Sequence, residues 1–186
     1  LPAEVIVIGG GAIGLEFATA CVKAGRKVTV LEAMPRILGN MDREISKSVA
    51  LNLRRQGVVC HEGAAVQRID EKAGKAVVTY LENGKEAQCR GDLVLVATGR
   101  RAVLPELGFA LELERGAVVT DKACRSSVPG IYSIGDCATG VQLAHKAMAE
   151  GSECVRAICG LQPLKELSLV PACVFTTPEV AAVGLD

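Results

Sequence analysis

The chain has 186 residues, of which 49% are hydrophobic and 23% charged, enough for one sizeable core or for one domain with part of another. Its 21 basic and 21 acidic residues give a formal net charge of zero, and no basic cluster carries interleaved aromatic residues, so nothing favours nucleic acid as a partner. The longest apolar runs are too short to span a bilayer, so no membrane partner is expected. There is no signal-peptide pattern at the start, and both ends read as cuts within a longer polypeptide.

The amino-terminal segment predicts the first half of a βαβ unit. The apolar run 5–8 is typical of a buried strand, and a helix is expected over 12–24. Gly9, Gly11 and Gly14 lie between the two in the pattern G-x-G-x-x-G. In this pattern the first glycine permits a tight turn, the second lets the backbone approach a pyrophosphate, and the third lets the helix pack closely on the strand. The N–H groups and dipole of the helix N-terminus then face the phosphates, so the segment predicts dinucleotide binding.

A second strand, expected over 27–31, completes the βαβ unit and ends at Glu32. Glu32 follows Gly11 by 21 residues, close to the spacing of the acid that holds an adenine ribose. A 2′-phosphate would be repelled by this carboxylate, which favours NAD over NADP. Arg36 is the opposing signal, because a nearby arginine can accommodate that phosphate.

The next hundred residues predict further parallel strands and an antiparallel insertion. A helix is expected from Met41 or Asp42 to Gly57, capped by Asn40 or Asp42, with an apolar stripe that recurs every four residues at Ile45, Val49 and Leu53. A parallel strand follows at 58–61. Three short strands then predict a meander, joined by a loop over 70–75 and an Asn-Gly turn at 83–84, before a buried strand returns to the main sheet. These strands are expected at 65–69, 76–81, 86–90 and 92–97.

Beyond residue 101 the pattern is weaker. The expected elements are two strands, a helix, a further strand and the start of another helix, at 117–120, 130–134, 141–158, 170–176 and 177–179 respectively.

Eight cysteines are scattered along the chain without a C-x-x-C motif. In a chain that otherwise reads as an intracellular α/β fold, they predict reduced, mostly buried thiols and a cytoplasmic location. Cys154 and Cys159 are separated by about 500° of helical rotation, so their thiols should point to different faces. No metal site is predicted, because His61 and His145 are remote from each other and have no ligand cluster around them.

Six segments of the chain carry a family resemblance in order. They are GGGAIGLEFA at 9–18, LEAMPRIL at 31–38 with MDREI at 41–45, LVATGRR at 95–101, SVPGIYSIGDC at 127–137, LAHKAMAEG at 143–151, and PACVFTTPEVAAVGLD at 171–186. Together they resemble the pyridine nucleotide–disulfide oxidoreductases, most closely the dihydrolipoamide dehydrogenases. The fold class implied is α/β, a Rossmann-like parallel sheet with an inserted antiparallel β-meander, followed by part of an FAD-binding domain.

The resemblance implies an NAD-binding domain at 1–100, a partial FAD-binding domain at 101–162, and the start of a dimer-interface domain at 163–186. The family's amino-terminal FAD-binding unit with its redox disulfide, and its carboxy-terminal His–Glu pair, have no counterpart here, so no catalytic residue is assigned. In the intact protein the resemblance implies FAD and NAD as cofactors, a dihydrolipoyl-bearing protein or another dithiol as partner, and a homodimer. By itself the chain is expected to bind NAD(H), to be inactive, and to hold little or no FAD.

The resemblance also implies roles for individual residues. Glu16 would orient the nicotinamide, Val66 would pack on the adenine, and Gly99 would let the backbone pass close to the dinucleotide. Asp136 would bind the ribityl chain of FAD, and the backbone at Ala144 and His145 would approach the flavin. The full set of expected cofactor-binding residues is Gly9, Gly10, Gly11, Ala12, Ile13, Gly14, Leu15, Glu16, Glu32, Val66, Gly99, Asp136 and Ala144.

Other functions remain open at this stage. The intact protein could be a relative such as a mercuric reductase, an NADH oxidase or a transhydrogenase, which share the glycine turn. The chain could also be a non-catalytic dinucleotide-binding module, or a purely structural α/β domain whose glycine turn is unused.

Overall fold

The computed structural model describes residues 2–162 and 167–184. It divides into two units, the first formed by residues up to 99 together with 173–182, and the second by 100–172 together with 183–184. The expected start of the dimer-interface domain, at residue 163, lies outside the described residues. Within the described part of the chain, no helix is both long enough and apolar enough to cross a membrane.

Residues 2–99 of the first unit form two helices and seven strands. The helices are α1 (Ala12–Lys23) and α2 (Arg43–Arg55), and the strands are β1 (Glu4–Ile8), β2 (Lys27–Glu32), β3 (Val59–Glu62), β4 (Ala64–Lys72), β5 (Lys75–Glu82), β6 (Lys85–Gly91) and β7 (Leu93–Val96).

Four of these strands form the parallel sheet that the sequence predicts, in the order β3-β2-β1-β7. Strand β1 is central and its Val5, Ile6 and Val7 are almost fully buried. Among the described strands, β7 pairs with β1 alone, and it is not the buried strand that its apolar sequence suggested. Leu93 and Val96 are 45% and 60% exposed, because an edge strand has a neighbour on one side alone.

Helix α2 begins where the capping prediction placed it. Asp42 is the N-cap, and its carboxylate accepts hydrogen bonds from the N–H groups of Glu44 (2.7 Å) and Ile45 (3.2 Å). These N–H groups lower the pKa of Asp42, since they stabilise the ionised carboxylate. Val49 and Leu53 face the core and are each 1% exposed.

Strands β4, β5 and β6 form the predicted antiparallel meander as a separate sheet. The prediction of a loop over 70–75 is wrong. The ladder continues to Lys72 and resumes at Lys75, because Ala73 and Gly74 both have positive φ and form a two-residue turn. Val78 and Tyr80 of the meander share a core with Ile6 of the parallel sheet, which is how the two sheets are held together.

The second unit has less regular structure than the sequence predicted. Its elements are β8 (Leu113–Glu114), β9 (Ala117–Val118), a 3-10 turn (Gly135–Cys137) and α3 (Ala144–Ile158). The strand expected at 130–134 is reduced to one bridge between Arg125 and Tyr132. Helix α3 begins three residues later than expected, because Leu143 is extended and serves as its N-cap.

The last described segment is a pair of strands, β10 (Ala172–Val174) and β11 (Val180–Ala182). The helix expected to start at 177–179 is therefore wrong. The hydroxyl of Thr176 donates to the carbonyl of Pro178 (2.8 Å) in the turn between the strands, and the chain continues as β11 from Val180.

All eight cysteines are free thiols, as predicted, but most are not buried. Only Cys124 and Cys154 are buried, whereas Cys159 and Cys173 are exposed. Cys154 lies within α3 and is buried, whereas Cys159 is the C-cap of the helix and is exposed. Burial raises the pKa of Cys60 and of Cys124 to about 11, so both thiols are protonated near neutral pH.

Candidate functional site

A cleft of about 490 Å³ lies in the first unit at the carboxyl ends of β1 and β2. This is the edge where ligands bind in open α/β sheets. Five residues singled out from the sequence line it, namely Gly9, Gly11, Glu32, Val66 and Gly99. The folded chain therefore brings together groups that are up to 90 residues apart. The cleft is also lined by residues outside the expected cofactor-binding set, most of them without a chemical signature, namely Ile8, Leu31, Ala33, Met34, Ala64, Ala65, Ala97 and Thr98.

The three patterned glycines meet different surroundings. Gly9 has a φ of +110°, and a Cβ there would lie 2.3 Å from the carbonyl oxygen of Ala97. A Cβ at Gly14 would lie 2.0 Å from the carbonyl oxygen of Gly9, so only glycine lets α1 approach the bend. At Gly11, by contrast, a Cβ would meet nothing within 4 Å. Gly11 thus leaves open space in front of the backbone, where the sequence predicts a pyrophosphate.

The N-terminus of α1 opens at this bend. Gly11 is its N-cap and no side chain caps the helix. Ala12 and Ile13 follow in the first turn, and Ile13 is 46% exposed while Leu15 is fully buried. The first-turn N–H groups and the helix dipole are therefore available to an anion at the bend.

Glu32 is fixed by the backbone around it. One carboxylate oxygen accepts from the N–H of Gly10 (2.5 Å) and the other accepts from the N–H of Met34 (2.7 Å). The same carboxylate therefore holds the glycine bend and lines the cleft. Gly10, predicted as a cofactor-binding residue, is the donor that joins the bend to β2.

Glu62 is a functional neighbour that sequence reasoning missed. It lies opposite Glu32 in the parallel pairing of β2 and β3, and it accepts from the N–H of Ile37 (2.9 Å). Two carboxylates side by side thus hold the segment that follows β2. In the sequence, Glu62 is an acidic residue at the end of a predicted parallel strand. A solvated surface residue would give the same pattern, so its role could not be predicted.

The side chain of Arg36 contacts backbone carbonyls outside the cleft, so it is not placed to bind a 2′-phosphate there. Its guanidinium donates to the backbone carbonyls of Met41 (2.7 Å) and Gly39 (2.9 Å), and it is half-buried. Two of its N–H groups are therefore engaged in holding the turn before α2. Arg36 does not line the cleft that holds Glu32.

Glu16 has a backbone partner in the same unit. Its carboxylate accepts from the N–H of Phe175 (3.0 Å). The contact links α1 to the segment between β10 and β11, and sequence reasoning gave no sign of it, because the two residues are 159 positions apart.

Two of the expected flavin-binding residues lie in the second unit. Asp136 sits in the 3-10 turn, and its carboxylate is 3.1 Å from the guanidinium of Arg100. Ala144 is the first residue of α3. His145 follows it, and its Nε2 is 2.7 Å from the carbonyl oxygen of Pro171.

Known proteins resemble the chain throughout its length. Residues 1–151 match the family described as pyridine nucleotide-disulphide oxidoreductase. The chain belongs to this family. Members of the family use FAD and NAD(H).

Curated relatives of the chain include dihydrolipoyl dehydrogenases. The protein from Chlorobaculum tepidum is 40% identical over 100% of the chain, and that from Bacillus subtilis is 39% identical over 99%. The chain spans 40% of the length of each relative.

Solved structures agree with the fold. LpdA from Mycobacterium tuberculosis superimposes with a TM-score of 0.87 at 29% identity, and the chain covers 41% of it. The HOCl-induced flavoprotein disulfide reductase RclA from Escherichia coli gives 0.85 at 33% identity, with 43% covered. Both structures align with all of the chain, so the predicted α/β class is confirmed.

Proposed function

We propose that this chain binds NAD(H) in the cleft of its first unit, as part of an FAD-dependent oxidoreductase that transfers electrons between a dihydrolipoyl dithiol and NAD. The observation that carries the proposal is the meeting of two groups in one cleft. A glycine bend with open space at Gly11 and the carboxylate of Glu32 on the neighbouring strand both line it.

The residues fit a dinucleotide at both of its polar parts. The bend offers backbone N–H groups at an uncapped helix N-terminus, which suits a pyrophosphate. Glu32 offers carboxylate oxygens, which suit ribose hydroxyls as hydrogen-bond donors. Val66, Ala64 and Leu31 supply an apolar wall on which the adenine can pack. Bound NAD supplies a hydride acceptor, and this chain orients it.

Two features favour NAD over NADP. The negative charge of Glu32 opposes a phosphate on the 2′ oxygen, since like charges would be brought together. Arg36 binds the carbonyls of Met41 and Gly39 instead of pointing into the cleft. A 2′-phosphate would therefore meet an acid without a matching cation.

The proposed substrate class follows the relatives. Dihydrolipoyl dehydrogenases match the whole chain at about 40% identity, and the overall reaction oxidises a dithiol to a disulfide while NAD⁺ becomes NADH and a proton is released. A second candidate is another flavoprotein disulfide reductase, favoured by the likeness to RclA. The whole protein, in this proposal, acts as a homodimer with FAD held partly by Asp136 and the backbone at Ala144.

Replacement of Gly11 by valine tests the proposal. The site has ordinary φ and nothing near a Cβ, so Gly11→Val should fold, whereas its side chain would occupy the place of the pyrophosphate. We expect NADH affinity, measured by fluorescence titration, to fall by at least tenfold. Gly151→Val in α3 is the matched control and should leave affinity unchanged. Unaltered NADH binding by folded Gly11→Val would support the alternative of a structural domain with an unused turn.

A further inference from the structure

A second and larger cavity lies in the first unit, on the outer side of α2. Its volume is about 590 Å³, and we call it the α2 cavity. It shares no lining residue with the dinucleotide cleft. The two are nevertheless close along the chain, because Ala33 and Met34 line the cleft and Pro35 and Arg36 line the α2 cavity.

Positive charge predominates in the lining of the α2 cavity. It is lined by four cationic side chains and one carboxylate, those of Arg36, Arg43, Lys47, Arg54 and Glu62. The chain as a whole has a formal net charge of zero, so this excess is local and does not reflect composition. A concave surface lined by one sign of charge focuses the field and attracts counter-ions.

Helical spacing explains the gathering of three of these cations. Arg43, Lys47 and Arg54 are four and seven residues apart on α2, which places them on one face. The positive charge of Arg54 is partly offset by the carboxylate of Glu62, whose Oε2 lies 3.8 Å from the Arg54 guanidinium. Lys47 lies 3.9 Å from Glu44, but both groups are more than half exposed, so that pair is weak.

Arg36 supplies the fourth cation from the loop opposite α2. Two of its N–H groups are held by the carbonyls of Met41 and Gly39, so the guanidinium keeps its position without losing charge. An anion in the cavity would thus meet one cation already in place and others that need only local side-chain rotation.

The remaining lining is mainly apolar, apart from Ser46, whose hydroxyl donates to the carbonyl of Ile37 (2.6 Å). Pro35, Ala50 and Leu51 contribute to it, and Leu51 is 50% exposed although it is a large hydrophobic residue. The cavity therefore combines a cationic rim with an apolar surface, and its volume lies within the range of small-molecule sites.

We infer that the α2 cavity binds a small anion with two or more phosphate groups, distinct from the dinucleotide in the cleft. The cations match several negative charges at once, and a single phosphate would leave most of them unused. The ligand could be an inorganic polyphosphate or a nucleoside diphosphate whose base packs on Leu51 and Pro35. The shared chemistry is the phosphate chain.

Calorimetric titration of ADP and of pyrophosphate into the chain tests this inference. With the dinucleotide cleft filled by saturating NADH, we expect one saturable site for each probe, and its affinity should fall as salt is added because the contacts are ionic. Arg43→Ala/Lys47→Ala should weaken binding at least tenfold. Arg55→Ala/Lys72→Ala removes the same charge from positions outside the cavity and should leave binding unchanged. Tighter binding of ADP would identify an organic ligand, and equal affinities an inorganic one.

The Gly11→Val variant separates this inference from the proposed function. Its altered bend lies outside the α2 cavity, so both probes should bind it as they bind the unaltered chain saturated with NADH. Probes that lose binding in Gly11→Val but not in Arg43→Ala/Lys47→Ala occupy the dinucleotide cleft, which would overturn the inference. Equal losses in the cavity and control double variants, or no binding at all, would also overturn it.

Discussion

Glu32 combines a structural and a recognition role at one carboxylate. Its two oxygens accept from the N–H groups of Gly10 and Met34, and the side chain lines the proposed ribose site. Sequence spacing predicted the recognition role. The structural role was not predictable, since a hydrogen bond between residues 22 apart depends on the folded path of the loop.

Glu32→Gln should weaken NADH binding and reduce the preference for NADH over NADPH. Glutamine keeps one acceptor oxygen but turns an NH₂ group towards a backbone N–H, so one contact is lost along with the charge. We expect a loss of about tenfold in NADH affinity, equal to about 1.4 kcal/mol, with a smaller loss for NADPH. Fluorescence titration of both nucleotides measures this, with exposed Glu86→Gln as control. Unchanged selectivity would show that Glu32 does not meet the ribose.

The hydrogen-bond partners of Arg36 could not be predicted from the sequence. Proximity to Glu32 in sequence made it a candidate for a 2′-phosphate. In the fold its guanidinium is bound to Met41 and Gly39 carbonyls. The sequence gives the position of this cation along the chain, but the carbonyls that it contacts depend on the folded path of the loop.

Among the elements, the ends of the parallel strands opposite the cleft are tied by an ionic cluster. Lys75 of the meander contacts Glu4 at the start of β1 (3.2 Å), and it also contacts Asp92 just before β7. Hydrogen bonding to Lys75 lowers the pKa of both carboxyls, and those carboxyls raise the pKa of Lys75. The cluster therefore joins the inserted meander to the sheet.

The cluster predicts a pH-dependent contribution to stability. Carboxyls with lowered pKa values stabilise the fold above their ordinary values of 4.5 and 3.8, and this stabilisation is lost as pH falls through the lowered values. Lys75→Met should therefore lower the urea midpoint at pH 7, and the difference from the unaltered chain should shrink at pH 3. Lys72→Met is the exposed control. A difference that persists at pH 3 would assign the effect to packing.

Helix α3 is joined to the 3-10 turn by a buried ion pair. Lys146 and Glu150 are 2.5 Å apart, with side chains only 8% and 10% exposed, and the other oxygen of Glu150 accepts from the N–H of Gly135 (2.8 Å). Sequence periodicity predicted α3 as an element. It gave no reason to place two charges in its buried face.

Loss of one partner should destabilise the second unit more than loss of both. Lys146→Met leaves the buried Glu150 carboxylate without its cation, at a cost of about 3 kcal/mol, while Lys146→Met/Glu150→Leu should recover most of that. Urea unfolding of both variants and of exposed Ser152→Ala measures the difference. A double variant that is no more stable than the single one would contradict this account.

For the whole molecule, regular periodicity determined how much could be predicted. The parallel sheet and meander were predictable because strand alternation, glycine turns and helix caps agreed with one another. The second unit was less predictable. Its extended segments are held by isolated contacts, such as the bridge of Arg125 and Tyr132, which carry no pattern. Its flavin residues came from resemblance alone.

The chain by itself should hold little FAD. Its 186 residues carry Asp136 and Ala144 but span about 40% of the length of the relatives, and the resemblance implies FAD-binding residues outside the span that they match. The visible spectrum of the purified chain should lack flavin bands. A stoichiometric yellow flavin would contradict this and would show that the residues present suffice.

A crystal structure of the chain grown with saturating NADH tests the central claim most directly. We expect the pyrophosphate to accept hydrogen bonds from backbone N–H groups at the start of α1, in the open space at Gly11, and the adenine ribose to donate to Glu32. A dinucleotide bound outside the cleft, or a cleft that stays empty at saturating NADH, would contradict the account.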